Sequence, residues 1–125
     1  KFIDTLTDKI NSFYQEYGTI ETYGFVIKTV QGEVIGGCDG YLIYGTCHIS
    51  QLWVEDSCRK NGLATDIIMQ VHNYAREQKC SLVSINTFTF MEAALKLYLK
   101  LGYKIDFERC GYAKESKMVF LSFKL

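Results

Sequence analysis

The sequence predicts one α/β domain over residues 1–125, in which a mixed sheet of about six strands is flanked by helices. A chain of 125 residues, 48% of them hydrophobic, is long enough for one domain and one packed core. Apolar residues alternate with polar residues in several short runs, as in strands. In three longer segments they recur every three to four positions, as in helices. Strand, helix and strand follow one another within about forty residues, which indicates a parallel, right-handed crossover.

The N-terminal segment is predicted to be a helix over residues 4–17, ended by Gly18. Polar residues lie mostly on one side, and we expect the opposite, apolar side to cover the sheet. That apolar side consists of Ile3, Leu6, Ile10, Phe13 and Tyr17.

Three strands should follow as an antiparallel meander over residues 23–30, 33–44 and 47–54. Gln31-Gly32 is typical of the first hairpin turn. Gly36-Gly37 interrupts the second strand, and we expect a bulge there.

The second half of the chain is predicted to alternate helices and strands. Thr89 and Glu92 form a capping-box pattern at the start of the last helix, which should end at Gly102. Apolar and charged residues alternate in the strand after it, so that strand should be half-buried. The predicted elements are a helix at 62–79, a strand at 81–88, a helix from about 90 to 102, and strands at 103–110 and 117–125.

Composition argues against several classes of protein. Fourteen Lys and Arg balance fourteen Asp and Glu, which argues against a broad nucleic-acid interface. No uncharged apolar run reaches the roughly eighteen residues that a membrane span needs. Five cysteines without a C-x-x-C pattern are typical of reduced thiols. We therefore expect a cytoplasmic protein without a metal site.

A short polar turn joins the third strand to the second helix and contains Arg59-Lys60-Asn61-Gly62-Leu63-Ala64. A glycine and a small residue at such a turn let backbone N–H groups approach a ligand closely. The helix start adds unsatisfied donors and the positive end of the helix dipole. Arg59 and Lys60 add mobile positive charge. The turn therefore predicts a ligand that carries phosphate.

This R-x-x-G-x-A pattern resembles the acyl-CoA-binding motif of the GNAT superfamily of N-acetyltransferases, [QR]-x-x-G-x-[GA]. A second stretch, Leu97-Tyr98-Leu99-Lys100-Leu101-Gly102-Tyr103, is similar to a helix end of the same superfamily. The resemblance runs from about residue 23 to the C-terminus. It implies a GNAT-like fold with an abbreviated N-terminus. It also implies transfer of an acetyl group from acetyl-CoA to a primary amine of a small molecule or peptide, by direct attack in a ternary complex.

The resemblance also implies which residues bind coenzyme A. The backbone of Val54, at the splayed end of its strand, would support the oxyanion and the pantetheine arm, with Leu52 and Trp53 beside it. Trp53 could instead be a core aromatic. The pyrophosphate would be bound chiefly by backbone N–H groups, with a hydroxyl from Thr65. The residues assigned to it are Arg59, Lys60, Asn61, Gly62, Leu63, Ala64 and Thr65.

Two residues are candidates for proton transfer. Tyr98 matches the superfamily tyrosine that protonates the departing thiolate, although a core tyrosine is the alternative. His48 lies six residues before Val54, and strand alternation predicts that it shares a face with Ser50, Leu52 and Val54. A neutral imidazole suits a base or a water organiser, although His48 could instead be a hydrogen-bonded sheet histidine.

Other residues are weaker candidates. Glu55 competes for the role of base, whereas His72, on the helix, has no acidic partner in view and is expected at the surface. Met91 stands where many superfamily members have an asparagine that contacts the cofactor.

Other functions stay open beside the transferase. The alternative is a non-catalytic domain that binds or senses acyl-CoA. An unrelated nucleotide binder is disfavoured, because the sequence has neither G-x-x-x-x-G-K-[ST] nor G-x-G-x-x-G. A homodimer is common in the superfamily, and nothing in the sequence decides it.

Overall fold

A computed structural model describes residues 2–59 and 61–125, and these form a mixed six-stranded sheet with three α-helices. This confirms the predicted fold class. The helices are α1 (Phe2–Phe13), α2 (Leu63–Glu77) and α3 (Glu92–Lys100). The strands are β1 (Ile20–Lys28), β2 (Val34–Ile43), β3 (Thr46–Val54), β4 (Leu82–Phe88), β5 (Lys104–Arg109) and β6 (Met118–Lys124).

The strand order is β1-β2-β3-β4-β6-β5. The pair β3–β4 is parallel and the other four pairs are antiparallel. Since α2 connects β3 to β4, the predicted parallel pairing across a helical connection is confirmed.

One face of the sheet, here called the covered face, packs against α2 and holds the core. Apolar residues of α2 recur every three to four positions, and those turned to the sheet are fully buried. They meet alternate residues of β3, β4 and β6. The fully buried α2 residues are Ile67, Ile68, Val71 and Ala75, and their neighbours in the core are Cys47, Ile49, Val83, Ile85, Val119 and Leu121.

The opposite side, here called the open face, is more polar and less buried. Tyr41, His48, Ser84 and Ser122 lie there, each half-buried. Trp53 lies there too, and 45% of its surface is exposed.

A β-bulge in β3 changes which residues lie on each face. Asp39 pairs with Gln51, but the next residue of β2, Gly40, pairs with Ile49, so Ser50 has no partner in β2. The extra residue reverses the alternation. Cys47 and Ile49 point to the covered face before the bulge, and Leu52 and Val54 point there after it.

The two central strands then separate. β3 and β4 pair only from Thr46–Leu82 to Ile49–Ile85. Beyond that point, residues 50–54 of β3 and 86–88 of β4 diverge, and the gap between them is called the cleft.

The N-terminal prediction is partly wrong. α1 ends at Phe13, and a single 3₁₀ turn, Gln15–Tyr17, follows it. The apolar side that we expected to cover the sheet is exposed, by 83% at Phe13 and 74% at Ile3. The Asn11 side chain fixes α1 to the sheet edge, accepting from the Ile20 N–H at 2.7 Å and donating to its carbonyl at 3.0 Å. Only residues 18–19 separate the 3₁₀ turn from β1, so the helix stays at that edge.

Three smaller predictions are also corrected. The bulge in β2 leaves Ile35 without a partner in β1, one residue before Gly36-Gly37. Thr89 does not cap α3: Met91 occupies the N-cap, and the Thr89 hydroxyl accepts the Lys117 N–H at 3.0 Å. Every residue of β5 is exposed, because β5 is an edge strand that no helix covers.

Candidate active site

The backbone of β3 offers unpaired polar groups to the cleft. The Glu55 N–H donates to the Ile35 carbonyl at 2.8 Å, which determines which residues of β3 turn their backbone groups toward β2. Because these bonds alternate along an antiparallel pair, Leu52 and Val54 turn their N–H and C=O groups away from β2. On that side β4 has already diverged. The Val54 carbonyl accepts from Arg59 Nε, so the two N–H groups and the Leu52 carbonyl are the groups left unpaired in the cleft.

On the opposite wall of the cleft, formed by β4, backbone hydrogen bonds alternate in the same way along the antiparallel pair of β4 and β6. The Thr89 N–H donates to the Lys117 carbonyl at 2.9 Å, so the alternation of β4 with β6 turns the backbone of Phe88 away from β6. The Phe88 carbonyl accepts the Met91 N–H at 2.9 Å, which leaves the Phe88 N–H for a ligand. An extended ligand can therefore hydrogen-bond to backbone on both walls.

The turn beyond β3 forms an anion cradle, consisting of residues 61–65 at the start of α2. Gly62 is the N-cap and has φ +80°, a left-handed conformation that favours glycine. A Cβ at Gly62 would meet no atom within 4 Å, so a ligand can approach the backbone there. No side chain in residues 2–59 and 61–125 caps the helix.

The first helical hydrogen bond in α2 runs from the Asp66 N–H to the Gly62 carbonyl at 3.0 Å. The N–H groups of Leu63, Ala64 and Thr65 therefore have no acceptor within the helix. Donors of this kind fit the pyrophosphate of coenzyme A.

Arg59 is less mobile than the sequence suggested. Its Nε donates to the Val54 carbonyl at 3.0 Å, and its Nη1 contacts the Asp56 carboxylate at 2.7 Å. Arg59 thus ties the turn to the end of β3. Asn61 is exposed, and Lys60 lies outside the described residues.

Tyr98 lies on the inward side of α3, with 6% of its surface exposed. Its ring is 6.0 Å from that of Tyr103, whose hydroxyl contacts His72 on α2. Tyr98 is therefore on the covered face. Burial raises the pKa of its phenol, which keeps it protonated at neutral pH.

His48 lies on the open face, and its predicted position is wrong. It points opposite to Leu52 and Val54, because the Ser50 bulge reverses the alternation between them. Its Nδ1 is 2.7 Å from the Ser84 Oγ, and its ring is 4.9 Å from that of Tyr41. Burial lowers the pKa of His48, so the ring is neutral at pH 7. The sheet thus separates His48 from Tyr98.

The pairing of His48 with Ser84 places the imidazole near the cleft. This is the last pair but one before β3 and β4 diverge. His48 therefore lies beside the narrow end of the cleft, on the open face.

The surface position expected for His72 is also wrong. Only 1% of its surface is exposed, and its Nε2 is 2.6 Å from the Tyr103 hydroxyl. Burial, with a smaller effect from Arg76, lowers the pKa of His72 to about 4. His72 is a neutral core group that joins α2 to the start of β5.

A groove on the open face was not predicted from the sequence. It has a volume of about 550 Å³, and Trp53 forms one wall rather than part of the core. Glycines in the middle of strands mark places where a ligand or backbone approaches closely, and that signal was available. The lining residues are Gly24, Phe25, Val26, Val34, Gly36, Gly37, Cys38, Asp39, Gln51 and Trp53.

The described residues hold neither a cluster of metal-ligating side chains nor a membrane-spanning helix. Three or more metal-ligating side chains do not come together anywhere in this part of the chain. None of the helices in residues 2–59 and 61–125 is long and apolar enough to cross a membrane.

Comparison with solved structures and curated proteins agrees with this geometry. An acetyltransferase from Bacillus cereus superimposes with a TM-score of 0.79 over 98% of this chain and 90% of its own, at 23% identity. The blasticidin-S acetyltransferase of Streptomyces morookaense is 29% identical over 87 residues, which are 69% of this chain and 62% of that protein. An uncharacterised N-acetyltransferase of Methanocaldococcus jannaschii is 26% identical over 64% of this chain and 52% of its own length.

The chain thus spans between half and two thirds of the length of the curated relatives that it matches. The model of the acetyltransferase (GNAT) family matches residues 3–103. The cleft, the anion cradle and this match lead to one conclusion: the chain belongs to the acetyltransferase (GNAT) family.

Proposed function

We propose that the chain is an N-acetyltransferase that moves an acetyl group from acetyl-CoA to a primary amine of a small molecule or peptide. One observation carries the proposal. The backbone N–H groups of Leu52 and Val54 and the carbonyl of Leu52 line a cleft that leads to the start of α2, which no described side chain caps. The antibiotic-acetylating relative favours a small molecule as the acceptor.

The cofactor fits two parts of the site. The N–H groups of Leu63, Ala64 and Thr65 would bind the pyrophosphate, with the left-handed Gly62 leaving room for it. The backbone of Leu52 and Val54 would bind the pantetheine arm as a strand-like partner. One of their N–H groups would support the oxyanion that develops on the thioester carbonyl.

The reaction forms one bond and breaks one. The amine nitrogen bonds to the acetyl carbon, the carbon–sulfur bond breaks, the nitrogen loses a proton and the thiolate gains one. An alkylammonium of pKa about 10 is roughly one part in a thousand neutral at pH 7, which costs about 4 kcal/mol. Removing that proton is therefore a large part of the barrier.

The two faces of the sheet would divide the proton transfers. His48, neutral at pH 7, would accept the amine proton on the open face, directly or through water. Tyr98, protonated, would donate to the thiolate on the covered face. In the cleft, β3 and β4 do not pair, so no strand backbone fills the space between the two faces. The thioester would therefore lie between the acid and the base.

The second candidate function is acyl-CoA binding without transfer. One observation favours it: α1 remains at the edge of the sheet, so the described residues leave the open face uncovered. An acceptor site there would lack one wall. Turnover distinguishes the two functions.

The first test is a melting curve with and without acetyl-CoA. At a hundred times its Kd, acetyl-CoA should stabilise the chain by about 2.7 kcal/mol. This is a shift of several degrees for a domain of this size. A shift accompanied by thiol release with amines supports the transferase. A shift without release supports the binding domain, and the absence of a shift contradicts both.

A further inference from the structure

The open-face groove has an uneven floor that follows from strand register. Across β1, β2 and β3, one row of paired residues is Val26, Gly37 and Trp53. Gly37 is buried, because the β1 backbone at Phe25 and Val26 packs where a Cβ would lie, and above it the row forms a trench between the aliphatic Val26 wall and the indole wall of Trp53. Val26 is 55% exposed and Trp53 is 45% exposed, so both walls are open to a ligand.

The neighbouring row supplies the charge. It consists of Gly24, Asp39 and Gln51, and the Asp39 side chain is two positions from Gly37 on the same face. Among the lining residues, Asp39 carries the one formal charge, and no described cation forms an ion pair with it. Gly24 leaves one side of the carboxylate bare, since a Cβ there would lie 3.3 Å from the Asp39 Cβ.

This combination favours a cation. A carboxylate attracts an ammonium group, and the face of a tryptophan attracts cations as well. The apolar trench between them would hold a hydrocarbon body.

The groove also adjoins the cleft. Gln51 and Trp53 turn their side chains to the groove, while the backbone of Leu52 and Val54 between and beside them lines the cleft. Strands lie about 4.8 Å apart, so Asp39 on β2 is roughly 7 Å across the sheet from the middle of the cleft. A molecule with one group at Asp39 can therefore place another beside the thioester.

We infer that this groove binds the acceptor, and that it selects a small molecule with a second cationic group in addition to the reacting amine. Asp39 binds the second cation, and the body of the molecule lies in the trench against Trp53. The inference rests on the proposed acetyl transfer, because it names the acceptor class for that same site.

The experiment compares linear α,ω-diamines of increasing length with the monoamines of equal length, by thiol release at saturating acetyl-CoA. The wild-type protein should prefer a diamine over its matched monoamine by about tenfold in kcat/KM, the effect of one charge-assisted hydrogen bond. The preference should be largest at one chain length, because the spacing from Asp39 to the cleft is fixed.

Two variants test which side chains of the groove produce the preference for diamines. Asp39→Asn should abolish the preference for diamines by lowering kcat/KM for each diamine about tenfold, to the value for its matched monoamine. Trp53→Leu should lower kcat/KM for both the diamine and the monoamine, because it removes the indole wall against which both molecules pack. Glu77→Gln is the matched control, since it removes an exposed carboxylate at the end of α2 and should change neither value.

The outcomes separate the two claims. Failure to bind acetyl-CoA contradicts the proposed function. Equal turnover of diamines and monoamines, or a diamine preference that survives Asp39→Asn, overturns the inference alone. Binding of acetyl-CoA with no turnover of either amine contradicts the proposed transferase, and the inference, which rests on acetyl transfer, then fails with it.

Discussion

The two faces of the sheet are built differently, although the same strands form both. On the covered face, α2 buries Ile67, Ile68 and Val71 completely against alternate strand residues. On the open face, Val26 and Trp53 are about half exposed and the neighbouring side chains are polar. The covered face therefore supplies stability, and the open face is available for a ligand. The cleft lies between them, where strand pairing is missing.

The largest effect should come from the anion cradle. Gly62→Glu should abolish stabilisation by acetyl-CoA, because it adds a negative charge where the pyrophosphate is expected. The measurement is the melting shift with acetyl-CoA.

Gly32→Glu is the matched control for that variant. Gly32 has φ +89°, and a Cβ there also meets no atom within 4 Å, so both variants carry the same backbone strain. Only Gly62→Glu should lose the response to acetyl-CoA. If both variants keep it, the phosphate is bound elsewhere.

The contrast between the two faces predicts different losses of unfolding free energy when a side chain on each face is truncated. Ile68→Ala removes a fully buried side chain beneath α2 and should cost about 2–5 kcal/mol of unfolding free energy. Val26→Ala, on the open face, should cost less than about 0.5 kcal/mol. Urea unfolding measures both, and a similar loss in the two variants would contradict the contrast.

The division of proton transfers predicts different kinetic defects for the two faces. Tyr98→Phe should lower kcat by about a hundredfold with acetyl-CoA affinity nearly intact, because it removes a general acid. Tyr103→Phe is the control. It breaks the hydrogen bond to His72 and should lower stability more than it lowers kcat. Unchanged kcat in Tyr98→Phe removes Tyr98 from the acid role.

On the open face, His48→Gln should lower the rate most near neutral pH. The defect should shrink as the pH approaches the pKa of the amine, because the acceptor then loses its proton without a base. A defect that is independent of pH would indicate that His48 supports the fold through Ser84 rather than accepting a proton.

The smallest effect concerns His72 in the core. Its pKa is lowered from 6.5 to about 4. Between these values the unfolded chain binds a proton that the native chain does not, so stability rises with pH. The stabilisation is complete above pH 6.5 and is lost as the pH falls to about 4, an effect of about 3 kcal/mol. His72→Gln should reduce this pH dependence in urea unfolding at pH 4 to 7, and an unchanged profile would contradict it.

The covered face was largely predictable from the sequence. The spacing of apolar residues in α2, the parallel crossover and the strand–glycine–helix turn all depend on local patterns, which a single sequence displays. The bulge at Ser50 was also readable in principle. Ser50 and Gln51 are consecutive polar residues, and apolar positions change from odd numbers at Cys47 and Ile49 to even numbers at Leu52 and Val54.

Other features depend on contacts between distant parts of the chain. His72 is buried because Tyr103, thirty-one residues away, accepts or donates its hydrogen bond. The exposed side of α1 depends on the anchoring of Asn11 at Ile20, which amphipathic spacing does not reveal. The groove requires the register of three strands, and no local pattern reports register.

The most direct test of the cleft is amide hydrogen exchange with and without saturating acetyl-CoA, measured residue by residue by NMR. The N–H groups of Leu52 and Val54 have no partner in β2, whereas that of Trp53 points to β2. We expect acetyl-CoA to slow exchange at Leu52 and Val54 markedly and to change Trp53 little. Unchanged exchange at Leu52 and Val54 in the saturated protein would show that acetyl-CoA does not lie in the cleft.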